Sequence, residues 1–133
     1  MPNQATAVVD SMIAALLAGD LVGMTANFHP EITLREADCL PYPGVFTGIK
    51  AFREDLLGKL LAGLDLEVEE REVLDAGNGI VVVRMCGQFT SKHTGRSVQM
   101  PMVEIYQVVD GKIVDVDIYY KDAAAISKLY WER

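Results

Sequence analysis

Two carboxylates precede a rigid turn in the first third of the chain. Glu36 and Asp38 stand just before the segment 40–48, which contains two prolines and two glycines. A carboxylate at the mouth of an apolar pocket has its pKa raised by desolvation, and a raised pKa suits a general base that works near neutral pH. The pattern makes Glu36 the first candidate for a catalytic base and Asp38 the second. The alternative is that both are solvated turn residues.

Four further polar side chains stand in the turn and within the apolar strands. Tyr42 in the turn and Tyr120 at the end of an apolar strand each offer a hydroxyl as a hydrogen-bond donor, although packing alone also accounts for Tyr120. Arg84 and Glu104 each interrupt an apolar strand, which predicts a half-exposed face or a cross-strand ion pair. The alternative for Arg84 is that it holds a ligand carboxylate.

Composition argues against several classes of function. The 133 residues carry a net charge of −7, which opposes binding to a phosphate backbone, so no nucleic acid partner is expected. No apolar run reaches the roughly 18 residues of a membrane span, so we expect no membrane association and a cytoplasmic location. Cys39 and Cys86 lack disulfide or zinc spacing, and His29 and His93 stand outside any ligand motif. We therefore expect neither a metal nor a cofactor.

Apolar periodicity predicts helices early, in the middle and at the end of the chain. Apolar residues recur every three to four positions from Val8 to Leu17, so the first helix should end near Gly19. The second helix is predicted at 21–28, and the proline after His29 ends it. Two more helices are predicted, at 48–63 and from Asp122. The strands are predicted at 32–36, 66–74, 80–90, 98–109 and 112–120.

Helices followed by a run of hairpins predict an α+β fold. We expect one domain over 1–133, in which a curved antiparallel sheet wraps around three N-terminal helices to form a cone, with a short C-terminal helix. A cone of this size leaves room for one small hydrophobic molecule, because such pockets are mostly apolar with a few convergent polar groups.

Four local motifs, in this order, carry a family resemblance. They are the segments 18–21 (AGDL), 28–32 (FHPEI), 40–48 (LPYPGVFTG) and 109–114 (VDGKIV). The chain resembles the nuclear transport factor 2-like superfamily, and within it the SnoaL-like (polyketide cyclase-like) and ketosteroid isomerase-like proteins. The resemblance covers nearly the whole chain and implies the cystatin-like, ketosteroid isomerase-like cone.

The resemblance also implies a carboxylate base at the end of the first strand. Ketosteroid isomerase-like enzymes place an aspartate there. Counting eight residues from Phe28 gives Glu36, whereas counting back from Gly48 gives Asp38 or Cys39.

An oxyanion hole is implied as well, and here the chain departs from the isomerase pattern. The position of the expected tyrosine falls at Met12, and that of the expected neutral aspartic acid falls at Val103. Steroid-type isomerisation is therefore disfavoured, because a dienolate would lack its hydrogen-bond donors.

Strand alternation predicts the wall of the pocket. In the last strand, Val116, Ile118 and Tyr120 share the inward face, whereas Asp115 and Asp117 share the outward face. The predicted ligand-binding set is Met12, Tyr42, Phe52, Val103, Val116, Ile118 and Tyr120.

The preceding strand carries a face of mixed character. Met100, Met102, Glu104 and Tyr106 share one parity, which is neither plain core nor plain solvent surface. Contact between two copies through the sheet explains such a face, so a homodimer is expected.

Two functions remain open at this point. The first is a cofactor-free enzyme that transfers a proton on a small hydrophobic carbonyl compound, with Glu36 or Asp38 as base and Tyr42 or Tyr120 as donor. The second is a non-catalytic module for ligand binding or dimerisation.

Overall fold

The computed structural model describes residues 4–133, beginning with two helices. Helix α1 (Gln4–Leu17) buries an apolar stripe that includes Val9, Met12 and Ile13. Helix α2 (Leu21–Thr25) follows after Asp20, whose side chain accepts a hydrogen bond from the amide of Gly23 and caps the helix. The predicted second helix ends three residues earlier than expected, because residues from Phe28 onward join the sheet.

Two strands and a third helical region come next. Strand β1 (Phe28–Glu36) passes through Pro30 at a point where its pairing is irregular, and proline is tolerated at such interruptions. Strand β2 (Gly44–Thr47), in the predicted turn, pairs with β1.

The helical region predicted at 48–63 is confirmed and has three parts. It consists of α3 (Ile49–Ala51), a π-helical segment (Phe52–Leu57) and α4 (Gly58–Gly63). Within it, Phe52, Leu56, Leu57 and Leu60 are buried.

Four long strands and a last helix complete the described chain. They are β3 (Leu64–Gly77), β4 (Ile80–Ser91), β5 (Ser97–Val109), β6 (Lys112–Tyr120) and α5 (Ala123–Trp131). Asp122 accepts a hydrogen bond from the amide of Ala125, which confirms the predicted start of the C-terminal helix.

The six strands form one curved sheet in the order β2-β1-β6-β5-β4-β3. Every neighbouring pair is antiparallel except β1 and β6, which run parallel. The sheet is therefore mixed rather than wholly antiparallel as predicted, because β6, the last strand of the hairpin series, lies parallel to β1. An irregularity between Glu69 and Glu72, where Glu70 has a φ of 54°, interrupts β3. Such a bulge bends its strand and helps a sheet to curve.

The core lies between the concave face of the sheet and the helices. Buried side chains of α1 and of the third helical region meet buried side chains of β1, β4, β5 and β6. No helix in the described range, 4–133, is long and apolar enough to cross a membrane.

Candidate functional site

A small cavity of about 80 Å³ lies between the concave face of the sheet and the helices. Its wall is almost wholly apolar and includes four methionines, Met12, Met24, Met85 and Met102. Methionine side chains are flexible, so this wall can adapt to the shape of a ligand. The polar side chains in the wall are Glu36, Glu104, Tyr106 and Tyr120.

Glu36 lies at the end of β1, where strand alternation points it toward the cavity. Glu36 is only 8% exposed. The hydroxyl of Tyr120 donates to Glu36 Oε1 at 2.8 Å and lies 3.1 Å from Oε2. Burial raises the pKa of Glu36 to about 8; the hydrogen bond from Tyr120 opposes this rise, and the nearby Glu104 adds to it.

Glu104 forms a second pair of the same kind in β5. The hydroxyl of Tyr106 donates to Glu104 Oε1 at 2.5 Å. Loss of hydration raises the pKa of Glu104, and the bond from Tyr106 lowers it by a smaller amount. We call Glu36–Tyr120 and Glu104–Tyr106 the two acid–phenol pairs.

The register of three strands fixes the arrangement of these pairs. Arg35 of β1 lies opposite Asp117 of β6, so the next residue, Glu36, lies beside Ile118. Ile118 is in turn paired with Glu104 of β5. The two carboxylic acids therefore flank Ile118, and their Cα atoms are about 10 Å apart, because neighbouring strands are about 4.8 Å apart.

One basic group, Arg71, acts on the Glu104–Tyr106 pair. The charge of Arg71 in β3 lowers the pKa of Tyr106, although burial and Glu104 raise that pKa more strongly. Arg71 does not line the cavity, and its guanidinium is 3.1 Å from Asp10 of α1. None of the lining side chains within the described chain is basic.

The structure brings five of the predicted ligand-binding residues together. Met12, Phe52, Val116, Ile118 and Tyr120 all line the cavity.

Val103, Asp38 and Tyr42 are placed elsewhere. Val103 pairs with Arg84 and Tyr119 and lies beside them in a groove on the outer face, because inward alternation in β5 falls on the even-numbered residues. Asp38 is exposed in the turn after β1. Tyr42 is fully buried next to the cavity wall, but it does not line the cavity.

The hydroxyl of Tyr42 is buried without a hydrogen-bond partner among the described residues. Burial and the charge of Glu36 both raise the pKa of Tyr42, whereas the nearby hydroxyl of Tyr120 lowers it by a smaller amount. The Tyr42 hydroxyl is therefore close to Glu36 and Tyr120 but makes no hydrogen bond of normal length with either.

Charged residues on the outer face are paired with one another. Arg84 lies 3.4 Å from Glu72, and Arg35 lies 3.1 Å from Asp115. Arg84 thus makes the cross-strand ion pair that the sequence predicted, on the face away from the cavity.

Glu104 is the site residue that the sequence interpretation did not place in the pocket. The face that it shares with Met102 and Tyr106, interpreted as a contact between copies, lines the cavity instead. The signal that could have placed Glu104 in the pocket is that it lies two positions from Tyr106, so both side chains share one face of the strand. Among residues 4–133, no cluster of histidine, cysteine, aspartate or glutamate side chains could hold a metal ion.

Comparison with known families agrees with this architecture. The SnoaL-like domain family matches residues 9–116, which is most of the chain. The protein therefore belongs to the SnoaL-like domain family. A comparison with curated proteins found no match.

Several solved structures share the whole fold. An NTF2-like protein of unknown function from Burkholderia pseudomallei is 19% identical, with 98% of this chain and 100% of that chain covered and a TM-score of 0.88. TerC, co-crystallised with polyporic acid, is 19% identical, with 98% and 100% covered and a TM-score of 0.86. A proposed polyketide cyclase from Xanthomonas campestris pv. campestris is 20% identical, with 95% and 96% covered and a TM-score of 0.82. At these identities the likeness concerns the fold.

Proposed function

We propose that this protein binds a small hydrophobic carbonyl compound in the cavity and transfers a proton on it without a cofactor, as an isomerase or cyclase would. The observation that carries the proposal is the burial of Glu36 in an apolar cavity against the hydroxyl of Tyr120. The similar structures of TerC with polyporic acid and of a proposed polyketide cyclase support a small organic ligand for this fold.

The proposed reaction begins with the ionised form of Glu36. Its carboxylate takes a proton from the carbon beside the carbonyl group. The C–H bond breaks, an O–H bond forms on Glu36, and the electron pair moves to the carbonyl oxygen as an enolate. Protonated Glu36 is a weaker hydrogen-bond acceptor than its carboxylate, so the phenol of Tyr120 becomes free to donate to the enolate oxygen. Glu36 then returns the proton to the same or another carbon.

The raised pKa sets the pH range of this reaction. With a pKa of about 8, about one-tenth of Glu36 is ionised at neutral pH. That ionised fraction is a stronger base than an ordinary carboxylate, because base strength follows pKa. The rate should therefore rise with pH and level off above about 8.

Hydrogen exchange at the carbon beside a ketone tests the proposal. Cyclohexanone is incubated with the protein in D2O, and loss of its α-proton signal is followed by NMR. Glu36→Gln should slow the protein-dependent exchange by about a hundredfold or more. Asp38→Asn, which alters the exposed carboxyl two residues away, is the matched control and should exchange at the wild-type rate. Equal exchange in the wild type and in Glu36→Gln would refute the catalytic role of Glu36.

The alternative function is a non-catalytic ligand-binding or dimerisation module. Met12 occupies the position where the isomerase pattern has a tyrosine. The loss of that hydrogen-bond donor favours this alternative. Binding of cyclohexanone with no exchange above the rate in buffer would select it.

We also propose that two copies associate through the outer face of the sheet. Ile105 and Tyr119 are 36% and 52% exposed on that face, and Leu74 is 39% exposed. Sedimentation of the wild type and of Ile105→Glu tests this, since a charge at the centre of such a contact should yield monomers. A wild-type protein that sediments as a monomer would rule out the homodimer.

A further inference from the structure

Both acid–phenol pairs face one cavity, and their arrangement defines the chemistry of the ligand. We infer that the cavity holds an uncharged molecule with two acceptor oxygens, one bound at Glu36–Tyr120 and the other at Glu104–Tyr106. This inference rests on the proposed binding function and narrows the ligand from any small hydrophobic carbonyl compound to a two-oxygen compound.

Hydrogen-bond counting leaves one donor in each pair. Both acids lie in a largely apolar wall that contains no basic side chain among the described residues, and this setting favours the protonated form of a carboxyl group. The pKa of Glu36 is raised to about 8 and that of Glu104 is raised as well, mainly by loss of hydration. In the protonated form each acid carries an O–H donor. Within each pair the described bond runs from the phenol to the acid, at 2.8 Å for Tyr120 and 2.5 Å for Tyr106. The proton of the acid is then left to donate. Buried donors in native proteins nearly always have an acceptor, and a ligand oxygen provides one for each pair.

The spacing of the pairs suits a single small ligand. The two acids flank Ile118 on strands two positions apart, about 10 Å between Cα atoms. Glu36, Ile118 and Glu104 form one row across β1, β6 and β5. Tyr120 comes two residues after Ile118 in β6, and Tyr106 comes two residues after Glu104 in β5. Because β5 and β6 are antiparallel, the two tyrosines lie on opposite sides of the row. A six-membered ring with oxygens on opposite carbons can reach both pairs across the face of Ile118.

The charges around the cavity favour an uncharged ligand. The described lining residues include two acids and no base. Arg71, whose charge acts on Tyr106, is paired with Asp10. A ligand carboxylate would therefore be buried without a counter-ion, which is costly in an apolar environment.

The test compares cyclohexane-1,4-dione with cyclohexanone, which has the same ring and one oxygen fewer. Dissociation constants are measured by NMR titration for the wild type, for the double variant Glu104→Leu/Tyr106→Phe and for Glu104→Gln. The second substitution is needed because the loss of Glu104 alone would release the Tyr106 hydroxyl as a new donor. The preference for the dione should fall about five- to tenfold in the double variant, as expected for one hydrogen bond. Glu104→Gln is the matched control, because its amide still accepts from Tyr106 and still donates. It should keep the preference.

The possible results separate this inference from the proposed function. If the wild type binds both ketones and the double variant Glu104→Leu/Tyr106→Phe leaves their affinity ratio unchanged, two-point binding is wrong while the binding function stands. If the wild type binds neither ketone, the binding function falls and the inference with it. Should the double variant fail to fold, Glu104→Met/Tyr106→Phe replaces it, because a flexible apolar side chain at position 104 fills the same space without a donor.

Discussion

The hydroxyl of Tyr120 donates a hydrogen bond of 2.8 Å to Glu36, linking the last residue of β6 to the last residue of β1. The two strands run parallel, so both residues reach the same end of the cavity. Burial makes the carboxylate form of Glu36 costly, and this bond makes it less so. The balance of the two effects leaves the pKa of Glu36 near the physiological range rather than far above it.

Removing that bond should raise the pKa of Glu36 above about 8. In Tyr120→Phe the carboxylate loses its phenol donor while burial and Glu104 continue to act. We expect a loss of about 1 kcal/mol of stability as well, the usual net contribution of one hydrogen bond. The pKa is measured by NMR titration of the Glu36 side-chain carboxyl carbon.

Tyr119→Phe is the matched control for this measurement. The hydroxyl of Tyr119 donates to Asp117 on the outer face at 2.7 Å, away from the cavity. Its removal should leave the Glu36 titration unchanged. A Glu36 pKa that stays the same in Tyr120→Phe, or falls, would show that the phenol does not stabilise the carboxylate.

The same carboxyl group should make stability depend on pH. The pKa of Glu36 is raised from 4.5 in the unfolded chain to about 8 in the fold, so folding favours its protonated form. Its stabilising contribution is complete below about pH 4.5 and is lost as the pH rises to about 8. The full loss for such a shift is up to about 5 kcal/mol. Urea denaturation at about pH 5 and about pH 9 measures it.

Glu36→Gln supplies the comparison, because an amide does not titrate in this range. The variant should lose much less stability than the wild type between the two pH values. Asp38→Asn should follow the wild type, since Asp38 is exposed. If the wild type and Glu36→Gln lose the same amount, Glu36 does not have a raised pKa.

The sequence was sufficient to predict the helices, the hairpin strands and the position of Glu36. Apolar periodicity marks a helix or strand regardless of its neighbours, and Glu36 stands on the parity of the buried residues Ile32 and Leu34. The parallel pairing of β1 with β6 was not predictable in this way, because it joins residues about eighty positions apart and depends on how the whole chain turns.

Faces of the long strands were harder to predict than the strands themselves. Choosing Val103 rather than Glu104 for the pocket is an error of one residue, and in a strand one residue exchanges the two faces. A charged residue within an apolar strand gives no sign of its face until a partner such as Tyr106 is known to lie beside it. The sequence therefore predicted that Glu36 faces the cavity, and it did not predict that Glu104 does.

Tyr42→Phe should stabilise the protein. The hydroxyl of Tyr42 is buried without a hydrogen bond of normal length in the described chain, although the hydroxyl of Tyr120 is near it. An unpaired buried hydroxyl costs about 1–3 kcal/mol. Phenylalanine keeps the ring and removes that cost, so the midpoint of urea denaturation should rise. Tyr130→Phe is the contrasting variant, because the hydroxyl of Tyr130 donates to the carbonyl of Lys59 at 2.8 Å and its loss should destabilise. A lower midpoint for Tyr42→Phe would mean that its hydroxyl has a partner.

Gly87→Ala should reduce the affinity of the cavity for a ligand. A Cβ atom at Gly87 would lie 2.7 Å from the sulfur of Met102 and 3.2 Å from the ring of Phe89, and both side chains line the cavity. The flexible methionine can move, and the space open to it is the cavity itself. We expect cyclohexanone to bind several-fold more weakly, with a stability cost of about 1–3 kcal/mol for overpacking. NMR titration and urea denaturation give the two quantities.

Gly95→Ala controls for the general effect of adding a methyl group to this sheet. Gly95 lies in the turn between β4 and β5, where an added Cβ meets no atom within 4 Å. Its φ of 75° means that alanine will cost some stability there, because the left-handed region strains a residue with a Cβ atom. Ligand affinity should nevertheless stay at the wild-type value. If both variants lose affinity equally, the loss reflects weakened folding, and Met102 is not displaced into the cavity.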